Sequence, residues 1–518
     1  MRQLYLPMTK NKARNLEVPG SDPGSPTLYF IMALLTKSKY IAGLACPRYL
    51  WALVNDKEKV PEPDVAAMFY MDQGNKAGRL ATKLFPTGIH IPFDSFKDNL
   101  FKSTALLKNK VPLFEAGFIS GNLYARADIL VPVGDEWDIV EVKSGTSVKK
   151  INLYDLAFQK YCYESKGLKI RKCFLMYLNN QYFKEGEIDI EKLFIKSDET
   201  SKVEKLMEGT KNNIDYFLEV IKNKRFPEEA LGPQCEKPSD CALNECWDFL
   251  PENNVFDLAS GGNKSLQLFE EGIHAIRDIP EEFELNDKQG IQRKCEIKDE
   301  INIHKEGIKH FLNTLKYPIY CLDFETFSTA VPMFDGLKSW SQVPFQFSLY
   351  VVEKEGDKPK HHEFLYSGEG DPREEFLLAL KKVLGDSGSV VVYFQQFENR
   401  ILRELGQRFP EHNDWVKDVI ARVVDLLVPF KNFSYYNPIQ KGSASLKKVL
   451  PAVTGKDYSG MEISGGMFAS VEFYNMNYDD GKDVREALLK YCGLDTLGMV
   501  WIIEKLNELC KGGLVKNE

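Results

Sequence analysis

Apolar and polar residues alternate with a period of two along "LYARADILVPV" (123–133) and "EWDIVEVKS" (136–144), which predicts two half-buried strands. "VAAMFYMDQGNKAGRLATKLF" (65–85) and "LYDLAFQKYCYESKG" (153–167) instead repeat their apolar positions every three to four residues and predict helices. Helix, strands and helix in this order suggest one α/β unit over residues 30–252. Residues 253–315 are charged and poor in strand pattern; in "LQLFEEGIHAIRDIP" (266–280) a Gly-Ile turn separates two short amphipathic pieces, and the segment is expected to be a helical connector. A second α/β unit is expected over 316–512, opened by the apolar strand "YPIYCLDFETF" (317–327). It continues through "FQFSLYVVEKEG" (345–356) and "SVVVYFQQF" (389–397) to a long helix, "DVREALLKYCGLDTLGMVWIIEKLNEL" (483–509). Residues 1–29 are polar and rich in Gly, Pro and Ser, which reads as a disordered leader.

Composition narrows the picture. The chain has 518 residues, 43% of them hydrophobic, so two cored domains are within reach. Lys and Arg number 67 against 75 Asp and Glu, a net charge of −8, so a nucleic-acid partner must be held by local patches rather than a global field. Ten cysteines at long spacings are unlike a small secreted disulfide scaffold, and the N-terminus has no signal-peptide core, which points to a reducing cytoplasm. The longest apolar run, near "YFIMALL", is too short to span a membrane, and no Walker A motif is present.

The two predicted strands flank Gly134-Asp135, a pair suited to a two-residue hairpin turn. Asp128 and Glu141 are equidistant from that turn, so the simplest register sets two carboxylates opposite each other, with Lys143 on the same face. Facing carboxylates repel, and an oxygen-rich site of this kind suits Mg²⁺ or Mn²⁺. Gln159 and Tyr163, four apart on the following helix, share a face. The whole run resembles the core of RecB-like PD-(D/E)XK nucleases, whose fold is restriction-endonuclease-like. The resemblance implies metal ligation by Asp128, Glu141 and the carbonyl of Val142, with Lys143 at the attacking water and Gln159 and Tyr163 as a trailing motif. Glu115 is a further acidic candidate, or a solvated strand-edge residue. The exonuclease branch of that family often adds a His from an upstream helix, and "QGNKAGRLA" has none.

"GPQCEKPSDCALNECW" (232–247) packs three cysteines together without a nearby His to complete four ligands. Cys46, in "LACPRYLW", precedes the nuclease-like core, and Cys235, Cys241 and Cys246 follow it. That bracketing resembles iron–sulfur RecB-like nucleases, the CRISPR-associated exonucleases and the AddB nuclease domain among them. The resemblance implies a [4Fe–4S] cluster on these four cysteines, although the trailing spacing is wider than that family's, and four thiolates equally suit zinc.

In the second unit Asp323 and Glu325 are two apart on a strand, while Tyr491 and Asp495 are four apart on a helix; each pair shares a face. D-x-E early and Y-x3-D late resemble the DEDDy exonucleases of the RNase H-like fold, which use two metal ions. Between them, Phe394 and Glu398 stand where that family has Asn and Asp, and Asp425 is an alternative third acid. The chain as a whole resembles bacterial fusions of a RecB-like nuclease to an uncharacterised RNase H-like domain. "GIHAIRDIP" resembles half of a helix-hairpin-helix or is a plain linker. Basic runs such as "KSGTSVKK" and "KGSASLKK" are candidate phosphate contacts; Ser443 and Ser445 could donate to phosphate or cap the next helix. The expectation is a metal-dependent nuclease acting on DNA ends or single strands in repair, recombination or defence, with a helicase or similar protein as partner. RNA as substrate, and an adaptor in which one or both sites have lost activity, remain open.

Overall fold

Seven strands build the first sheet of the computed structural model: β1 (Leu35–Thr36), β2 (Ile89–His90), β3 (Leu113–Ser120), β4 (Leu123–Val133), β5 (Glu136–Lys143), β6 (Ile170–Leu178) and β7 (Phe194–Asp198). Their order is β2-β3-β4-β5-β6-β7, with β1 beside β4. The structure describes residues 34–235, 241, 243–463, 465–476 and 482–511. The leader expected at 1–29 lies outside the described residues.

β4 and β5 are the expected hairpin. Ile129 pairs with Val140 and Val133 with Glu136, the register that centres on the Gly134-Asp135 turn. Gly134 has φ +59° while Asp135 does not share a positive φ, so only the first turn position needs glycine's freedom. The parallel pairing of β5 with β6 requires a crossover. It is supplied by the helix Lys150–Ser165, whose Leu156, Ala157, Phe158 and Tyr163 are fully buried. Helices α1 (Lys37–Ala45) and α2 (Pro47–Asn55) and the helix Met207–Lys222 complete this layer. Tyr40 stacks on Phe158 with ring centroids 4.9 Å apart, joining α1 to the crossover helix.

The chain divides into two compact units, the first holding residues up to Glu62, Asp72–Tyr182 and Glu187–Leu243; the second holds Pro63–Met71, Phe183–Gly186 and everything from Asn244. The segment expected to be a connector is counted with the second unit instead of standing apart. Its β8 (Asn302–Ile303) pairs antiparallel with a later strand, Tyr435–Tyr436, and Gln292 donates to the Asp257 carbonyl and the Tyr436 hydroxyl. Within it the helix Asn263–Glu270 ends on Gly272 at φ +79°, where the Ile273 and Gly272 N–H groups close onto Leu268 and Phe269 carbonyls.

The main sheet of the second unit has five strands: β9 (Ile319–Phe327), β10 (Val343–Val352), β11 (Lys360–Leu365), β12 (Ser389–Val392) and β13 (Val423–Asp425), with Tyr435–Tyr436 as β14. The order is β11-β10-β9-β12-β13; β10 runs antiparallel to both β11 and β9, and β12 and β13 run parallel to β9. Period-two geometry sorts β9 cleanly. Tyr320, Leu322 and Phe324 enter one core with Phe376 and Leu402, and Ile319 and Cys321 enter the other with Met499 and Ile502 of the long helix Lys482–Lys511. Asp323 and Glu325 continue the second face. Among the described residues no helix is long and apolar enough to cross a membrane.

Candidate active sites

In the first unit the hairpin register carries Asp128 opposite Glu141. The pairs Phe114–Ile129 and Ala116–Ala127 carry Glu115 opposite Asp128 on the other side, so three neighbouring strands present a row of carboxylates. Glu115 has φ +60°, a strained conformation for its residue type, and its carboxylate is engaged by Arg126 at 2.8 Å. Asp128 Oδ2 accepts the Val142 N–H at 2.7 Å, which pins β4 to β5 at the site; this N–H is the Val142 group seen to act on the row.

Glu141 is the hub. Its Oε1 receives Lys143 Nζ and Lys37 Nζ, each at 2.7 Å, and its Oε2 receives Gln159 Nε2 at 2.7 Å. Lys143 also reaches Asp155 at 2.7 Å, and Gln159 donates to the same carboxylate at 2.9 Å. Lys37 and Asp155 belong to the site without having been singled out in the sequence. Lys37 Nζ lies 3.9 Å from Asp128 as well, so its ammonium sits where a cation serves both acids. Burial, and then the Glu141 charge, push the Asp128 carboxyl up to about 7. Burial works in the same direction on Glu141, but the Lys143 and Lys37 ammoniums outweigh it and hold that carboxyl well below the usual carboxylate range. Tyr163 stands behind the row: its hydroxyl accepts the Ala127 N–H at 2.7 Å and donates to the Ala116 carbonyl at 2.8 Å. With both partners in the main chain, it ties β3 to β4 beside Glu115 and Asp128.

In the second unit, the shared face of Asp323 and Glu325 lies under the helix Lys482–Lys511, which brings Tyr491 and Asp495 over it. Asp323, Glu325, Tyr491 and Asp495 line one cavity of about 370 Å³, together with Glu398 from the first turn of the helix Gln395–Arg408. Glu325, Glu398 and Asp495 are buried, and Asp323 is half-buried at the cavity floor. Glu398 is only 3% exposed, and its Oε2 has no hydrogen-bond partner among the described residues. Burial followed by the Asp495 charge pushes Glu325 up to about 8; burial pushes Glu398 up to about 8 and Asp495 up to about 6. Asp323 is raised well above its ordinary value by burial and by the charges of Asp495, Glu325 and Glu398. Tyr458 donates to Asp495 Oδ1. Burial holds both the Tyr458 and Tyr491 phenols far above their ordinary range, so they act as donors and not as bases.

Tyr458 and Cys492 enter here without having been singled out in the sequence, and Lys447 enters from the basic run "KGSASLKK". Cys492 Sγ lies 3.7 Å from Asp323 Oδ2, and one ligand atom each from Asp323, Glu325 and Cys492 falls within 4.8 Å of the others. Lys447 Nζ lies 5.5 Å from the Tyr491 ring centre and lowers the Glu325 and Asp495 carboxyls against the effect of burial. Asp425, the alternative third acid, is not among the residues that line this cavity. Its carboxylate accepts the N–H groups of Phe394 (2.9 Å), Gln395 (3.1 Å) and Leu427 (3.0 Å), so it caps the helix that carries Glu398.

Residues 320–445 match a domain of unknown function, DUF2779. No curated protein matches the chain. The DUF2779 stretch holds Asp323, Glu325, Phe394, Glu398 and Asp425, and it ends before Tyr491 and Asp495.

Of the four cysteines, Cys46 is the residue from which α2 starts. That helix is tied to the stretch leading to the later cysteines: Trp51 Nε1 donates to the Asn223 carbonyl at 2.7 Å and Arg48 Nε to the Pro227 carbonyl at 2.9 Å. The Cys241 N–H donates to the Cys235 carbonyl at 2.9 Å, and the Cys241 thiol is close enough to Tyr49 to add to the effect of burial in raising that phenol. Cys46, Cys235 and Cys241 thus belong to one end of the first unit. Cys246 closes a short turn, Asn244–Cys246, counted with the second unit, and residues 236–240 and 242 lie outside the described residues.

Proposed function

We propose that the chain is a metal-dependent nuclease that hydrolyses phosphodiester bonds in nucleic acid, with a restriction-endonuclease-like first unit and an RNase H-like, DEDDy-type second unit. The observation that carries this reading is the convergence of Asp323, Glu325, Glu398 and Asp495 on one cavity, three of them buried and one with an unpartnered oxygen. Burying that much negative charge without a cation is unfavourable, and an all-carboxylate set suits a hard divalent ion such as Mg²⁺ or Mn²⁺. The sheet order, with three antiparallel strands and two parallel ones and D-x-E on the central strand, supports the RNase H-like assignment.

A divalent ion bound there supplies Lewis-acid charge for the attacking and leaving oxygens of an in-line displacement. The chain's own part is to hold and aim. Asp323 and Glu325 are fixed by β9, Glu398 by the Asp425-capped helix, and Asp495 by the phenol of Tyr458. Tyr491 offers a protonated hydroxyl at the cavity wall to orient water or phosphate. In the first unit Gln159 and Lys143 fix Glu141, and Lys143 stands where it can orient a nucleophile beside Asp128. The expectation of a [4Fe–4S] cluster, or zinc, on Cys46, Cys235, Cys241 and Cys246 is kept as part of the proposal. An absorption band near about 400 nm, lost in Cys241→Ser, is its test, and stoichiometric zinc in a colourless protein would replace it.

Labelled single-stranded DNA and RNA incubated with the protein and Mg²⁺ or Mn²⁺ test the activity. Degradation is expected, with Asp323→Ala and Lys143→Ala each removing a distinct part. If neither substitution changes the products, the nuclease reading fails.

A further inference from the structure

Phe394 is at odds with its position. It occupies the N-cap of the helix that carries Glu398 with φ +77°, a backbone conformation that Gly and Asn adopt readily and bulky residues rarely do. Its ring gains no burial in return, since the residue is 46% exposed. The conformation is nonetheless enforced, because the Phe394 N–H is held by Asp425 at 2.9 Å. An aromatic ring kept outward at a strained position points to a function outside the core.

Its surroundings indicate what that function is. The preceding residue, Tyr393, donates its hydroxyl to the Ala444 carbonyl at 2.6 Å, which ties the Phe394 turn to the loop of "KGSASLKK". Lys441 of that loop, Ser445 at the N-cap of the helix Leu446–Thr454, and Lys447 and Lys448 in the first turn of that helix are exposed, and Ser445 makes no capping bond through its side chain. Four residues beyond Phe394, Glu398 faces the carboxylate cavity. Basic and hydroxyl groups therefore sit on one segment and an outward aromatic ring and an acid of the cavity on another, the two joined by the Tyr393–Ala444 hydrogen bond.

We infer that Phe394 is a stacking platform for a nucleobase of a single strand, whose phosphates are met by the Lys441–Lys448 segment as the strand reaches the Glu398 cavity. Stacking needs an unpaired base with an accessible face, so the substrate class is single-stranded nucleic acid and not intact duplex. DNA and RNA offer the same ring faces, and the sugar is left to the experiment. This inference rests on the nuclease reading above.

The test is fluorescence anisotropy of a labelled oligo(dT), an oligo(rU), a strand of abasic sites of equal length and a blunt duplex, all in Ca²⁺. Phe394→Ala is expected to weaken oligonucleotide binding about 10-fold, within the range for loss of one stacked base. Phe394→Trp should keep it, and the abasic strand should bind both proteins equally. Loss on both dT and rU supports a sugar-blind platform; loss on one alone supports the platform and names the sugar. Phe394→Asn fits the left-handed backbone, so it should raise the unfolding midpoint while still losing affinity, which separates binding from folding. Unchanged oligo(dT) and oligo(rU) affinity in Phe394→Ala, or equal weakening on the abasic strand, overturns the inference. If the wild type still cleaves in an Asp323-dependent manner, only the stacking role has failed; if it neither binds nor cleaves, both readings fall.

Discussion

Replacing Glu325 by Gln should stabilise the metal-free protein at neutral pH, although Glu325 is buried in a well-ordered cavity. Its carboxyl is pushed from 4.5 to about 8 by burial and then by the charge of Asp495. A raised carboxyl has a definite sign: the folded state holds the proton more tightly than the unfolded chain, so stability falls as pH rises from about 4.5 to about 8 and is flat above. At pH 7 the cost of keeping that proton is about 3 kcal/mol, from 1.36 kcal/mol per pH unit between 4.5 and 7. Gln has no proton to lose, but its buried amide must find partners, which takes back about 1–2 kcal/mol. The variant should therefore gain about 1–2 kcal/mol near pH 7 and lose a little near pH 5. Urea unfolding in EDTA at those two pH values reads this directly. Added Mg²⁺ should reverse the order at pH 7, since a ligand at 100 times its Kd stabilises the wild type by about 2.7 kcal/mol and the variant has lost a ligand oxygen. A variant less stable than wild type at both pH values without metal refutes the reasoning.

Other perturbations separate positioning from chemistry. Tyr163→Phe leaves the Ala127 N–H and the Ala116 carbonyl without their partner and should cost about 1–3 kcal/mol in denaturant unfolding, while the first unit's metal affinity, read by calorimetry, changes little. Lys37→Met removes one of the two ammoniums on Glu141 and should destabilise the metal-free protein by about 1–3 kcal/mol, yet tighten Mg²⁺ or Mn²⁺ binding at Asp128, because the ion no longer competes with a lysine. Asp425→Ala orphans three backbone N–H groups and should lower stability by about 2 kcal/mol; Asp425→Asn should recover part of it, and neither should abolish Mg²⁺ binding as Asp323→Ala does.

The residues legible in the sequence were those whose relation is local. The hairpin register follows from one turn, so Asp128 and Glu141 could be set opposite each other before any coordinates. The shared faces of Asp323 with Glu325 and Tyr491 with Asp495 need only the strand and helix periods. Asp155 lies one helical turn before Gln159 and was open to the same argument. Lys37 was not, because it meets Glu141 across 104 residues of chain, and no period links a lysine on the opening helix to a later hairpin. The same holds for Tyr458, which reaches Asp495 across 37 residues. Asp425 shows a different limit: the pattern marks a carboxylate near the centre, and only the fold decides whether it faces the cavity or the free N–H groups of a helix.

The two centres differ in how their charge is balanced, and this sets different metal dependences. In the first unit Asp128, Glu141 and Asp155 face the ammoniums of Lys37 and Lys143, three negative groups against two positive. Such a site is nearly neutral as it stands, so it folds without a cation, and an arriving ion must displace Lys37. In the second, Asp323, Glu325, Glu398 and Asp495 gather four carboxyls, of which Glu325 and Asp495 are offset by the Lys447 ammonium. There the excess is met by protons on the raised carboxyls, which a divalent ion replaces. Metal binding at the second centre should therefore release several protons and stabilise its unit, while binding at the first should release at most the one held by Asp128 and stabilise less. The number of protons released per ion, followed by calorimetry in buffers of different ionisation enthalpy, distinguishes the two centres without reference to any activity.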